Sequence, residues 1–268
     1  MAVKGLSDFC KEHKIKDKFS AKSIELYVAH LAMKGMKAST IRSALSAVRH
    51  HCNSNYIKIS FDTPRLQLLL KGVRRGKDSI AIRPNHALKV RQPQKLCNSA
   101  DKLFRSQQAL IIKSVFALSF FALLRPSEAY QTSTTPEHQL RRSSIRVRQN
   151  KIKITFSSFK HSSGSTTITL ERKPSLVICP VLLLQSYLSA NSGIAQQEGS
   201  IVLFPCSRSE AHSWLQRCVA DAGIKSRLTL HSFRRGGATW YASQGLTNAK
   251  LKAFGRWKSN AYLIYVKP

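Results

Sequence analysis

Acidic residues are scarce in this chain: 13 aspartates and glutamates stand against 44 lysines and arginines in 268 residues, a formal net charge of +31. The excess runs along the whole length instead of gathering in one tail, so the chain repels itself unless a polyanion is near. Neutralising phosphates also releases condensed counterions, which makes DNA or RNA the expected ligand. A device for solubility alone is a poorer account, because added acidic residues serve solubility better than added basic ones.

Other absences narrow the reading. The cysteines Cys10, Cys52, Cys97, Cys179, Cys206 and Cys218 form no C-x-x-C pair, and no histidine is placed to complete a zinc site, which leaves them as buried thiols in a reducing compartment. The first residues, MAVKGLSDFC, lack the apolar core of a signal peptide, so secretion is not expected. The longest apolar run, Val115 to Leu124, is broken only by Ser119. It reaches about half of the roughly 20 residues that span a bilayer, so it predicts a buried helix and no membrane partner. Internal repeats and low-complexity segments are also missing.

What is present is mostly helical periodicity. Ile24, Tyr27, Val28 and Leu31 recur at helical spacing between Ser20 and Met33, with Gly35 as a stop. A second helix starts near Ser39, carries Ile41, Ala44, Leu45 and Val48 on one side, and turns Arg42 and Arg49 outward as candidate DNA contacts. Thr63-Pro64 opens a third, with Leu66, Leu69, Leu70 and Val73 inward and Gly72 and Gly76 expected to end it. Residues 77–95 hold Pro84 and Pro93 among basic side chains without helical period, and read as a linker that could follow a DNA groove through Lys77 and Arg91. The expected organisation is therefore a helical domain over 1–76, the basic linker over 77–95 and a second domain over 96–268.

In the second domain a strongly apolar helix, Ala109 to Leu124, ends at Arg125-Pro126. IRVRQ and KIKITF alternate apolar and basic residues around Gln149-Asn150, and TTITL follows, which predicts a small sheet with one basic face. Helices are expected over Pro180–Leu188 and Ala211–Ala222, with a short strand IVLF between them, and the last stretch reads as helical with breaks at Gly245 and Gly255.

Four places carry groups that packing explains poorly. In LLRPSEAY, Arg125 leaves a helix end as a rigid phosphate clamp, and Glu128 can hold its orientation, although for this motif taken alone a local salt bridge is the better account of the pair. In HSFRRGGATWYASQG, His231 and Arg234 lie one turn apart at a helix start, where unpaired N–H groups favour an anion. Gly236 and Gly237 in the same motif suggest close approach of another backbone or of DNA. In GRWKSNAYLIYV, Ser259 can cap a short final helix bearing Tyr262 and Tyr265. A tyrosine, with a pKa near about 10, is a poor nucleophile unless cations and a bound phosphate favour its oxyanion. In SSFKHSSG, Lys160 sits at the tip of the predicted hairpin, where its ammonium could reach a leaving oxygen.

Taken in order, Arg125 with Glu128, Lys160 in a hairpin, H-x-x-R, and a G-x-W-x-S-x-x-Y-x-x-Y ending resemble the tyrosine recombinase (phage integrase) family. HSFRRGGATW and GRWKSNAYLIYV look most like its eukaryotic Crypton and related transposon-borne branch. The resemblance implies a mainly helical fold with a small antiparallel sheet, in which a helical core-binding (SAM-like) domain precedes an α+β catalytic domain of the DNA breaking-rejoining type. It implies strand breakage and rejoining, in site-specific recombination or integration, through a 3′-phosphotyrosyl bond without metal, ATP or other cofactor. Tyr265 would be the nucleophile, Arg125 and Arg234 the phosphate clamps, Lys160 the acid for the leaving oxygen, His231 an acid/base or donor, and Glu128 a support. The family places His or Trp nine residues before the nucleophile, where this chain has Arg256 followed by Trp257. The expectation is that Trp257 packs beside the nucleophile and Arg256 faces DNA. Implied partners are double-stranded DNA and further copies of the chain, as a dimer or tetramer. The implied location is the nucleus for a eukaryotic mobile element, and otherwise the cytoplasm or nucleoid. A non-catalytic DNA-binding derivative, a nicking enzyme resembling type IB topoisomerases and an RNA-binding protein are the competing readings.

Duplex affinity is expected to fall steeply with salt, by nearly one unit of log–log slope per phosphate neutralised. A slope near zero in a salt titration of binding would remove nucleic acid from consideration.

Overall fold

The computed structural model describes residues 2–78, 86–132, 136–158, 164–172, 178–191 and 202–265, the side chains of 76–78 excepted. The chain divides into two compact units, residues 1–83 and 84–268, each with its own apolar core.

The first unit is built from α1 (Ala2–Glu12), α2 (Ala21–Met33), α3 (Ala38–Ser54) and α4 (Pro64–Asp78). The Ser20 hydroxyl accepts the Ser23 N–H at 3.2 Å and starts α2, while Gly35, at φ 79°, turns the chain out of it. Thr63 starts α4 by accepting the Leu66 N–H at 3.1 Å, and it donates to Glu25 Oε1 at 2.9 Å, tying this end to α2. Ile24, Tyr27, Val28, Leu31, Ile41, Leu45, Val48 and Leu66 are buried together. Two expectations change here. α4 runs on through Gly72 and Gly76 to Asp78; a helical glycine costs about 1 kcal/mol, which the packing of Leu66, Leu69, Leu70 and Val73 outweighs. α1 was not anticipated, although Leu6, Phe9 and Cys10 supply one buried stripe.

The second unit opens with α5 (Gln92–Leu103), α6 (Ser106–Phe121) and the single turn α7 (Pro126–Ala129). Residues 92–95 therefore belong to a helix and not to a linker; Pro93 lies in its first turn, where a missing N–H costs nothing. Ahead of it, the N–H groups of His86 and Leu88 bond to the carbonyls of Arg227 and Ser232 at 3.1 and 3.2 Å, so this stretch is fixed to the second unit. The sheet follows: β1 (Ile145–Arg148), β2 (Lys151–Phe156) and β3 (Thr166–Glu171), antiparallel in that order, with Ile145 opposite Ile154 and Ile154 opposite Ile168. Then come α8 (Pro180–Ala190), α9 (Arg208–Asp221), α10 (Leu230–Ser243), α11 (Asn248–Phe254) and a 3-10 turn, Asn260–Tyr265. Of the expected strand IVLF, Ile201 lies outside the described residues and the other three form no strand. Val202 makes an isolated bridge to Arg141, and Leu203 and Phe204 enter the core. The cysteines are buried free thiols. Among the described residues no helix is long and apolar enough to cross a membrane.

The glycine pair of α10 has a specific reason. A Cβ on Gly237 would strike the Phe120 carbonyl, and one on Gly236 the Leu88 backbone. The close approach is thus to other backbone of the same unit, and it presses α10 against α6. Gly237→Ala is expected to lower unfolding stability by about 1–3 kcal/mol, the usual penalty of overpacking. Urea denaturation checks it, and an unchanged midpoint would mean that slack exists between the helices.

Candidate active site

The site starts where α6 stops. After Phe121 the chain passes through Leu123 at φ 49°, a left-handed conformation that costs a non-glycine residue of order 1 kcal/mol. It aims the Leu123 carbonyl inward, where it accepts from Arg234 Nη1 and, at 3.1 Å, from Arg256 Nη2. Arg125 then stands at the N-cap of α7, before Pro126. Its backbone N–H donates to Glu128 Oε2 at 2.8 Å, its Nη1 to Glu128 Oε1 at 2.8 Å, and its Nη2 to the Arg256 carbonyl at 2.7 Å.

Glu128 is 1% exposed and also receives Arg256 Nη2 at 2.8 Å. Burial works to raise its carboxyl, but Arg256, Arg125 and Arg234 override that and hold it below the usual carboxylate range. A charged carboxylate thus sits inside the unit, locked by guanidiniums on two sides.

Arg256, expected to face DNA, is turned the other way. It is 4% exposed, donates to the carbonyls of Phe254 and Leu123 as well as to Glu128, and stacks 3.8 Å over the Phe156 ring. The reason is local: Arg256 follows α11 at φ 57°, which swings its side chain into the interior. Trp257 is directed to the other side. Its ring lies 4.1 Å from the Arg234 guanidinium carbon and 5.8 and 6.2 Å from the rings of Tyr262 and Tyr265.

α10 supplies the remaining groups. Arg234 is 1% exposed, and its two Nη atoms donate to the carbonyls of Leu123 and Gly255. Burial first, and Arg125 next, press it toward losing its proton, with Glu128 opposing them; guanidinium basicity keeps it charged. His231 Nε2 lies 3.3 Å from the Tyr265 hydroxyl. Burial, followed by Arg234, Arg235, Arg125 and Arg208, pulls the His231 imidazole down to about 4, so it is neutral at pH 7. Of the two tyrosines, Tyr262 is buried with Leu123, Ala238 and Leu251, while Tyr265 is half-buried against His231. His231 also borders an open cleft of about 770 Å³ between the starts of α9 and α10, lined by Gln131, Ser207, Arg208, His212 and Thr229.

The structure thus gathers Arg125, Glu128, His231, Arg234, Arg256, Trp257 and Tyr265. Lys160 lies outside the described residues. Arg42 and Arg49 belong to α3 of the first unit, where Arg49 is 3.4 Å from Asp62; Lys77 lies in α4, and Arg91 is exposed just before α5. Two contributors were missed. The Arg235 guanidinium lies 5.6 Å from the Tyr265 ring, and the Thr239 hydroxyl donates to the Tyr265 carbonyl at 2.6 Å. Counting forward by four and eight from His231 would have found both. Among the described residues no group of three or more histidine, cysteine or acidic side chains could hold a metal ion.

No protein-family model and no curated protein matches this sequence. Solved structures do. The XerH site-specific recombinase bound to palindromic difH substrate, in a post-cleavage complex, aligns at TM-score 0.63 and 16% identity over 90% of this chain and 67% of its own. A lambda integrase dimer bound to a COC′ core site aligns at 0.59 and 13% over 99% and 71%. The Tn1549 transposon integrase in complex with transposon right end DNA aligns at 0.65 and 12% over 100% and 88%. At such identities the likeness is one of fold: mostly helical with a small antiparallel sheet, matching tyrosine recombinase catalytic domains.

The low pKa of His231 has a signed consequence. As pH falls below about 6.5, the ordinary histidine value, the unfolded chain takes up a proton that the folded chain refuses, so stability drains until about 4. Denaturation midpoints are expected to drop across that window, and His231→Gln is expected to flatten the drop. An equal drop in the variant would place the acid sensitivity elsewhere.

Proposed function

We propose that this chain breaks and rejoins DNA strands through a 3′-phosphotyrosyl intermediate, as a site-specific recombinase or integrase acting on double-stranded DNA in association with further copies of itself. The observation that carries the reading is the Tyr265 hydroxyl 3.3 Å from a neutral His231, beside Arg234 and Arg235. It is supported by the fold neighbours, which are recombinases and integrases in complexes with DNA, one of them as a dimer.

In this mechanism the Tyr265 oxygen attacks phosphorus while its proton passes to His231 Nε2. The bond from phosphorus to the 5′ oxygen breaks, the electron pair leaves with that oxygen, and Lys160 supplies its proton. One phosphoester replaces another, so the bond energy is kept for the reverse attack by a partner strand's 5′-hydroxyl, and the step as written needs neither metal nor nucleotide. Arg125 and Arg234 neutralise the non-bridging oxygens as charge builds in the transition state. Glu128 through its carboxylate and Arg256 through its backbone carbonyl position Arg125, each accepting from its guanidinium. Because Arg234 is 1% exposed and covered by Trp257, a phosphate reaches it only after the segment carrying Trp257 and Tyr265 shifts.

The same burial favours a second reading, a DNA-binding protein without strand transfer, in which Arg234 stays committed to the carbonyls of Leu123 and Gly255. The finer likeness to the Crypton branch rests on HSFRRGGATW and GRWKSNAYLIYV alone; the fold neighbours do not support it.

A suicide DNA substrate followed by a denaturing gel tests the proposal. The parent is expected to form a covalent protein–DNA adduct, and Tyr265→Phe to lose it while still binding duplex. An adduct that persists in Tyr265→Phe moves the nucleophile elsewhere, and a parent that binds duplex without any adduct favours the second reading.

A further inference from the structure

The two faces of the sheet differ in character. Ile152, Ile154, Phe156, Ile168 and Leu170 point inward and are buried, and Phe156 props the Arg256 guanidinium from below. Side chains alternate along a strand, so the opposite face, directed away from that contact, carries Arg146, Arg148, Lys151 and Lys153, all exposed. The register sets Arg146 across from Lys153 and Arg148 across from Lys151. Like charges directly opposite one another destabilise a sheet, at side-chain separations of about 5 Å. The two pairs follow each other at about 7 Å along the strands, so they form one compact cationic patch.

Glu171, exposed on the same face, stands across from Lys151 in the β2–β3 register and is the one carboxylate on the outward face of the three described strands, so the face keeps a clear cationic excess. None of the four has a carboxylate within ion-pairing distance among the described residues. Elsewhere acid is set against base, as in Lys113 with Asp101 at 2.6 Å, so the ladder is a local liability that an external polyanion would offset. The rest of the face indicates which polyanion. Thr155 and Thr167, whose hydroxyls are 3.0 Å apart, and Thr169 continue it, and no aromatic side chain stands among them. Proteins that hold single strands stack bases on aromatic rings, whereas cations and hydroxyls suit the phosphate backbone of a duplex.

We infer that the outward face of this sheet is a second duplex-DNA surface, distinct from the Tyr265 site, gripping backbone phosphates through Arg146, Arg148, Lys151 and Lys153. It rests on DNA being the ligand and not on cleavage. The phosphates come from the flank of the duplex held at the site or from a second duplex.

The test is the full chain carrying Arg146→Gln, Arg148→Gln, Lys151→Gln and Lys153→Gln together. Its melting temperature is expected to hold or rise, since two like-charge pairs are removed against the single Lys151–Glu171 pair. With a long duplex, the log–log salt slope is expected to fall by about two units or more, since each lost phosphate contact removes nearly one. If the phosphates belong to a second duplex, capture of a labelled duplex by protein already on an immobilised one is lost as well. Adduct formation on a short suicide substrate at saturating DNA is expected to stay at the parent level. A slope change below one unit with capture intact overturns this inference while leaving strand transfer standing. A slope that falls when neither protein forms an adduct sinks strand transfer and leaves this surface standing.

Discussion

One buried carboxylate organises the site. In a chain with 13 acidic residues, Glu128 is placed where water cannot reach it and where Arg125 and Arg256 converge on its two oxygens. A buried ion pair of this kind adds little net stability, because desolvation cancels most of the Coulomb gain. What it does add is direction: each guanidinium is a planar fork, and a fork held at both ends has few orientations left. Arg125 has one edge on Glu128, three positions on, and the other on the Arg256 carbonyl, 131 positions away, so its position is dictated by a near and a distant residue together.

The second constraint is the backbone. Leu123 and Arg256 both take left-handed conformations, unfavourable for side chains of their kind. Each delivers something a regular helix end would not. Leu123 presents one carbonyl to two arginines, and Arg256 sends its own side chain inward while Trp257 is left to stack on Arg234. The nine-residue spacing before Tyr265 therefore ends on a structural arginine, and the aromatic contact is made one position later.

Much of this was legible in sequence because local signals were strong. Ser20 and Thr63 mark helix starts, β2 alternates without a break, and α6 is strongly apolar from Ala109 on, so these elements needed no tertiary information. The failures have separate causes. Pro93 was read as a mark of linker, although Leu96, Cys97 and Ala100 continue a helical stripe from it, and all are buried. Gly72 and Gly76 were read as stops where packing on the rest of the first unit carries the helix through. Phe204 looked like part of a strand because a short apolar run has no period of its own. Within the site, residue types named the participants, but the inward turn of Arg256 depends on a backbone angle that no residue preference at that position signals.

The nucleophile candidate sits on the least anchored piece of the site. In the 3-10 turn Asn260–Tyr265, Tyr262 is buried, while Leu263 and Ile264 are 43% and 64% exposed. Tyr265 itself is held by the His231 contact, the Thr239 hydroxyl and the neighbouring Arg235. A segment with so few buried apolar contacts opens at low free energy compared with the core helices. The arginines are fixed through Glu128 and inward-facing carbonyls. The Tyr265 ring packs at the edge of the Leu123, Ala238, Leu251 and Tyr262 cluster, and its hydroxyl is held by the His231 contact, which in the proposed reaction an entering phosphate replaces. Rigid arginines with a displaceable tyrosine reconcile a buried Arg234 with the proposed DNA substrate: the frame need not move, because Trp257 and Tyr265 belong to the same short stretch, residues 257–265.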